Sequence, residues 1–194
     1  MSKPLKITIG ISVSLLVLVV AVILFLRYLL TKSFPITEGS VNVPGLHKPV
    51  TIYRDERGVP HILAQDEHDM FFAAGYVHAQ DRLWQMDIIR RAGEGRLSEI
   101  LGDVAIEFDK LFRTLGVARV AGEIEKNLHP ESRRTLDAYA EGINAFIREN
   151  GKKLPIEFDI LNYRPELWQP IHSLIVGRMI AWELNLAWYT DITF

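Results

Sequence analysis

The chain has 194 residues, with 22 Lys and Arg against 24 Asp and Glu for a net charge of −2. Its positive charges are scattered, which excludes the basic stripe of a nucleic-acid binder. Cysteine is absent, so disulfides, a thiol nucleophile and thiolate metal sites are excluded too.

The first element is the run ITIGISVSLLVLVVAVILFL, Ile7 to Leu26, without a charged side chain. About 20 residues of helix at ~1.5 Å rise cover roughly 30 Å, the hydrocarbon thickness of a bilayer. Residues 1–32 therefore read as an N-terminal signal anchor carrying one transmembrane helix. Lys3 and Lys6 ahead of the run also fit a cleaved signal peptide. Against cleavage, the run exceeds the roughly 7–15 residues of a usual signal core, and no clear small-x-small site precedes Ser33. A buried core helix is rarely apolar on every side. Lys3 and Lys6 before the span nearly balance Arg27 and Lys32 after it, so the positive-inside rule leaves the orientation open.

Residues 33–49, SFPITEGSVNVPGLHKP, read as an extended connector rich in Pro, Gly and Ser. From residue 50 the chain reads as one incomplete domain. Val50 to Arg54 and Val59 to Ala64 are short β-prone runs around Asp55–Gly58, which predicts a hairpin with Gly58 at positive φ. Pro60 lacks an amide donor and belongs at an edge or near a strand start. A long helix is expected after Asp66, its cap, with Asp69 in the first turn and Gly93 and Gly95 at its end. On an unbroken helix His78, Asp81, Arg82 and Gln85 share an arc of about 100°. Such a polar stripe on an apolar helix must face water or form a satisfied network.

RLSEILG predicts a short helix stopped by Gly102, and a third helical region spans Val104 to Asn127. Pro130 opens a helix with Leu136, Tyr139, Ile143, Phe146 and Ile147 on one face, ended by Gly151. LPIEFDILNYRPELWQP, with three prolines, reads as irregular, and a last helix covers about Ser173 to Trp188. G-x-S-x-G, phosphate-loop, dinucleotide and H-E-x-x-H patterns are all absent. His61, His68 and His78 do not make a zinc pattern, because His61 lies on a strand and the other two point about 280° apart around a helix.

The run RDERGVPHILAQDEHDMFFAAGYVHAQDRLWQMDIIRRAGEGRLSEILG closely resembles the start of the penicillin acylase (penicillin amidase) family of N-terminal-nucleophile hydrolases. Asp55, Gly58, Pro60, His61, Gly75, Tyr76, Gln80, Asp81, Arg82, Arg90, Gly95, Arg96 and Glu99 are among the positions that carry the likeness. The later run LPIEFDILNYRPELWQP resembles the family's next landmark in the right order. The resemblance implies an α+β, mostly helical fragment of an αββα sandwich, preceded here by the transmembrane helix. It also implies a precursor cut into a smaller α chain and a larger β chain, whose new N-terminus supplies the nucleophile. This chain then corresponds to the α part, with no catalytic residue of its own. The implied reaction is hydrolysis of a linear amide in an N-acyl compound such as a penicillin or an acyl-homoserine lactone. The alternative is a truncated, non-catalytic, membrane-tethered module.

The same resemblance implies that Met179 and, more weakly, Trp182 help line the acyl pocket, against the plain reading of both as core residues. Some family members bind a structural calcium ion shared between the chains, for which Asp191 is the nearest acidic match; no organic cofactor is expected. His78, Asp81, Arg82 and Gln85 are expected to be a buried structural network rather than catalytic groups. Relatives commonly carry aspartate where His172 stands, so Ser173 is expected to cap the last helix in its place. The expected partners are the β chain, an N-acyl small molecule, and the membrane through residues 7–26, with the soluble part outside the cytoplasm.

Overall fold

A computed structural model describes residues 3–36, 38–151 and 153–185. Helix α1, Lys3–Thr31, is a single 29-residue rod. Its Gly10–Thr31 stretch has a mean hydropathy of 2.8 and buries none of that surface within the protein. By length and composition it suits either a membrane anchor or a signal sequence. Just past its end, Lys32 forms an ion pair with Asp159 that ties the start of the connector to the helical body.

The expected hairpin forms from strands β1, Thr51–Arg54, and β2, Pro60–Leu63, paired antiparallel from Thr51↔Leu63 to Arg54↔Pro60. Its turn is organised by Asp55, whose Oδ1 accepts from the amides of Arg57 and Val59, both at 2.9 Å. Gly58 sits at φ 77° as that turn requires. Pro60 occupies the first position of β2, where its missing amide costs least.

Helix α2, Glu67–Glu94, starts at Asp66, whose carboxylate accepts from the Asp69 amide, and ends at Gly95 in the left-handed region at φ 65°. Local capping chemistry thus bounds the helix at both ends. Inside it, Arg82 departs from helical geometry (φ −140°, ψ 17°), so α2 is two helices joined across a kink. Helix α6, Pro130–Asn150, lies against α2. Their backbones touch where small residues face each other. A Cβ on Gly142 would stand 1.9 Å from the carbonyl oxygen of Phe72, and one on Gly75 would stand 2.1 Å from that of Tyr139. Around this crossing Ala79, Leu83, Ile143, Phe146, Leu154, Phe158 and Trp168 form the main core.

Between these helices run α3, Ser98–Leu101, a 3-10 turn, α4, Ile106–Leu115, and α5, Val117–Lys126. The single helical region expected from Val104 to Asn127 is therefore broken. Gly116 at φ 71° ends α4 and turns the chain into α5, letting both helices present apolar faces to a second cluster of Phe112, Val117, Ala121 and Ile175. The stretch expected to be irregular contains one short helix, α7, Ile156–Ile160, which inserts Phe158 fully into the core. The last helix, α8, Pro170–Leu184, starts three residues before the expected position. Gln169 is its cap and His172 completes a capping box, with the His172 ring Nδ1 accepting from the Gln169 amide at 3.0 Å. Ser173 does not cap the helix; its hydroxyl oxygen accepts from the Trp168 indole at 2.9 Å.

Candidate functional site

A cleft of about 480 Å³ runs along α2 at its kink, between the hairpin and the loop before α7. Asp81, Arg82 and Gln85 line it, with Arg54 and Gln80 on one side and Glu157 on the other. Arg54 of β1 grips Asp81 through two bonds of 2.9 and 2.8 Å and reaches Gln80 at 2.9 Å. His78 lies outside the cleft and pairs through Nδ1 with the Tyr139 hydroxyl of α6 at 2.8 Å. Burial pushes the Tyr139 phenol up to about 12, so at neutral pH it is a hydrogen-bonding hydroxyl and not a base.

The expectation of one buried network of His78, Asp81, Arg82 and Gln85 needs correction, because all four are exposed in this chain. They split into a helix-to-strand tie at Asp81, a helix-to-helix tie at His78, and a 3.4 Å contact between Arg82 and Gln85. The physical reason is that Asp81, Arg82 and Gln85 line an open cleft rather than a packed face, while His78, about a turn earlier, faces α6.

The buried network lies on the other side of the kink. Arg90, fully buried, meets Asp87 at 2.5 Å, Glu94 at 3.1 Å and Glu166 at 3.2 Å. Arg91 holds the other Asp87 oxygen at 3.0 Å and Glu99 at 2.8 Å, and lies 5.1 Å over the Tyr163 ring. Tyr163 donates its hydroxyl to Asp87 at 2.8 Å. Arg96 closes the ring of charges on Glu94, Glu99 and Glu166. Bonding to Arg96 holds the Glu166 carboxyl down to about 2, with Arg90 and Arg91 adding to the pull. His172 borders this cluster and is pushed down to about 4, chiefly by burial and then by the Arg90 charge, so it is neutral at pH 7.

Arg90, Arg96 and Glu99 are among the positions that carry the family likeness, whereas Asp87, Tyr163 and Glu166 lie inside the two family-like runs without being marked by it. No local pattern marks them, because Glu166 and Tyr163 reach α2 from 76 residues away. An aspartate three and four residues before two arginines on a helix was the one available signal.

Met179 and Trp182 sit three residues apart on α8, both partly buried. Met179 packs on Gly93 of α2, where an added Cβ would stand 2.9 Å from its Cγ. Trp182 meets Phe112 of α4 edge to face at 6.1 Å between ring centroids. The two thus border the second apolar cluster. Asp191 lies outside the described residues. Among the described residues no serine hydroxyl is hydrogen-bonded to a histidine. Ser98, for example, donates to Asp109 at 2.5 Å, a carboxylate that also accepts from the Leu97 and Ser98 amides.

The model of the family described as penicillin amidase matches residues 49–194. The chain belongs to the penicillin amidase family. It is 42% identical over 163 residues to penicillin acylase 2 proenzyme of Pseudomonas sp. (strain SE83), covering 84% of this chain and 21% of that protein. It is 40% identical over 153 residues to acyl-homoserine lactone acylase QuiP of Pseudomonas aeruginosa, covering 78% of this chain and 18% of that one. Among solved structures, thermostable penicillin G acylase from Alcaligenes faecalis matches with a TM-score of 0.63 and 27% identity, over 74% of this chain and 75% of the solved one. The penicillin amidase segment described here therefore spans a minor part of the curated relatives' length and shares its fold with a penicillin acylase, an N-terminal-nucleophile hydrolase.

Proposed function

We propose that residues 50–194 are the α-chain portion of a membrane-anchored acylamide amidohydrolase, whose nucleophile is the N-terminal residue of a β chain from the same precursor. The observation that carries this reading is the unbroken penicillin amidase match over residues 49–194. It falls on a chain whose conspicuous polar groups are tied into helix packing rather than arranged as a nucleophile and base. In this chemistry a free α-amine, titrating near ~8, takes the proton of its own residue's hydroxyl, directly or through water. The hydroxyl oxygen attacks the amide carbonyl while donors from the β chain hold the oxyanion. The α-ammonium passes its proton to the substrate nitrogen, which leaves as the amine. Water then cleaves the acyl ester to release the acid and restore the hydroxyl.

The α segment supplies shape rather than reactivity. Its hairpin joins a sheet completed by the β chain in an αββα sandwich. Met179 and Trp182 form part of the apolar wall for the acyl group, and Asp191 contributes one oxygen to a structural calcium ion shared with the β chain. Helix α1 tethers the enzyme to the membrane with its catalytic part outside the cytoplasm. Names among the relatives, penicillin acylase and acyl-homoserine lactone acylase, support an N-acyl small molecule as substrate. Intact-mass analysis of the mature protein tests this reading. Two chains are expected, the second beginning with Ser, Thr or Cys, together with release of acid from phenylacetyl or long-chain acyl amides. A single uncut chain with no such release would overturn it.

A further inference from the structure

The connector after α1 meets the first turn of α2 at a cluster that acyl transfer does not use. Gly45, at φ 113°, brings the connector against Phe72, where a Cβ would stand 2.7 Å from Cε2. The amides of His47 and Lys48 then donate to the two oxygens of the fully buried Asp69 carboxylate, at 2.9 and 2.8 Å. This pinned backbone lays the His47 ring on the His68 ring, with centroids 4.1 Å apart and planes at 15°. His47 Nδ1 stands 3.5 Å from Asp66 Oδ2, and His68 Nδ1 stands 3.1 Å from Asp69 Oδ1. One donor atom from each of these four residues lies within 4.8 Å of all the others.

We propose that His47, Asp66, His68 and Asp69 bind a divalent transition-metal ion of the zinc type, which staples the connector to the helical body. Metal bonds of about 2.0–2.2 Å in a tetrahedron set its ligand atoms about 3.4 Å apart. The 3.5 and 3.1 Å pairs already have that spacing. The wider separations, none above 4.8 Å, close when His47 swings off the His68 ring and Asp66 turns towards it, their side chains being 59% and 35% exposed. Two imidazoles beside two carboxylates favour zinc over calcium or magnesium, which prefer an all-oxygen shell. His68 Nε2 lies 3.5 Å from Glu141, so an Nε2–H aimed at that carboxylate leaves Nδ1 as the ligand atom. On binding, the ion takes the lone pair of His68 Nδ1, any proton held there leaving to solvent while Nε2–H stays on the ring. The two carboxylates neutralise the ion's charge without any change of oxidation state.

Cobalt titration of the complete gene product, purified in detergent and stripped with chelator, tests the site. One equivalent of Co2+ is expected to give the intense visible absorption of a tetrahedral ion, displaced by Zn2+ and not by Ca2+ or Mg2+. His68→Ala is expected to abolish it, and Glu141→Gln to weaken binding about tenfold. His47→Ala removes an exposed ligand but keeps the backbone bonds to Asp69. It is expected to lose the absorption while melting, metal-free, at the parent's temperature, which separates loss of a ligand from unfolding. Absence of tetrahedral absorption in the parent, or its persistence in His47→Ala, would overturn the proposal. The readout is independent of acyl transfer, so it stands or falls apart from the amidohydrolase reading.

Discussion

The two halves of α2 carry similar side chains and put them to different uses. Before the kink at Arg82, His78 and Asp81 make single ties to α6 and β1 while remaining exposed. After it, Asp87, Arg90 and Arg91 are buried and bonded to one another, to Tyr163 and to acids from α3 and the loop before α8. Burial decides the energetic weight of a charge. An exposed pair contributes about 0–1 kcal/mol, whereas removing one partner of a buried pair costs about 3–5 kcal/mol because the other is left uncompensated.

The sharpest way to break the architecture under both halves is at the α2–α6 crossing. Gly142→Val is expected to abolish folding, or to cost at least about 4 kcal/mol, because no side chain can give way at a 1.9 Å approach to the Phe72 carbonyl oxygen. Soluble expression and urea melts would show it. Next in size is Asp87→Ala, expected to cost about 3–5 kcal/mol by stranding Arg90 and Arg91. If Asp87→Ala cost less than 1 kcal/mol, the distinction between the halves would collapse.

Acid should loosen the second half. His172 is held near 4 against an ordinary 6.5, so between those values the unfolded chain binds the proton and the folded one does not. Stability then falls as pH drops from 6.5 towards 4, by on the order of 2 kcal/mol. Glu166 is held near 2 against 4.5, so its contribution is complete above 4.5 and disappears as pH falls towards 2. Its side chain is 44% exposed, so solvent limits that contribution to about 1 kcal/mol. Urea melts at pH 7 and pH 5 should differ in this direction, and replacement of His172 by Gln should flatten the difference. The smallest effect belongs to Asp81→Asn, expected to cost about 1 kcal/mol, since Arg54 and Asp81 keep 17% and 26% of their side-chain surface in water against 0% and 1% for Arg90 and Asp87.

What could be read without coordinates follows the same division. The ends of α2 were legible because Asp66 and Gly95 act through bonds within a few residues, and the hairpin turn was legible from Asp55 and Gly58. The kink at Arg82 has no proline to announce it, and the polar stripe alone does not say that Asp81, Arg82 and Gln85 line an open cleft while His78 turns to α6. Gly116 does not stand out as a break in the sequence because its left-handed turn lies between two amphipathic segments. His172 looked like a lost cap, yet its ring accepts the amide that an aspartate would have taken. The buried ionic cluster was hidden because Glu166 and Tyr163 arrive from far along the chain. The family likeness reached further than pattern physics at Arg90, Arg96 and Glu99, although it did not say which neighbours hold them.

The claim on which the functional account rests is that these residues shape a cleft around reactive groups carried by another segment. Hydrolysis of phenylacetyl and long-chain acyl amides should be measured with the complete precursor product and, side by side, with the purified 194-residue chain. The account predicts release of acid by the first and none by the second. Turnover by the 194-residue chain, free of any other subunit, would contradict it.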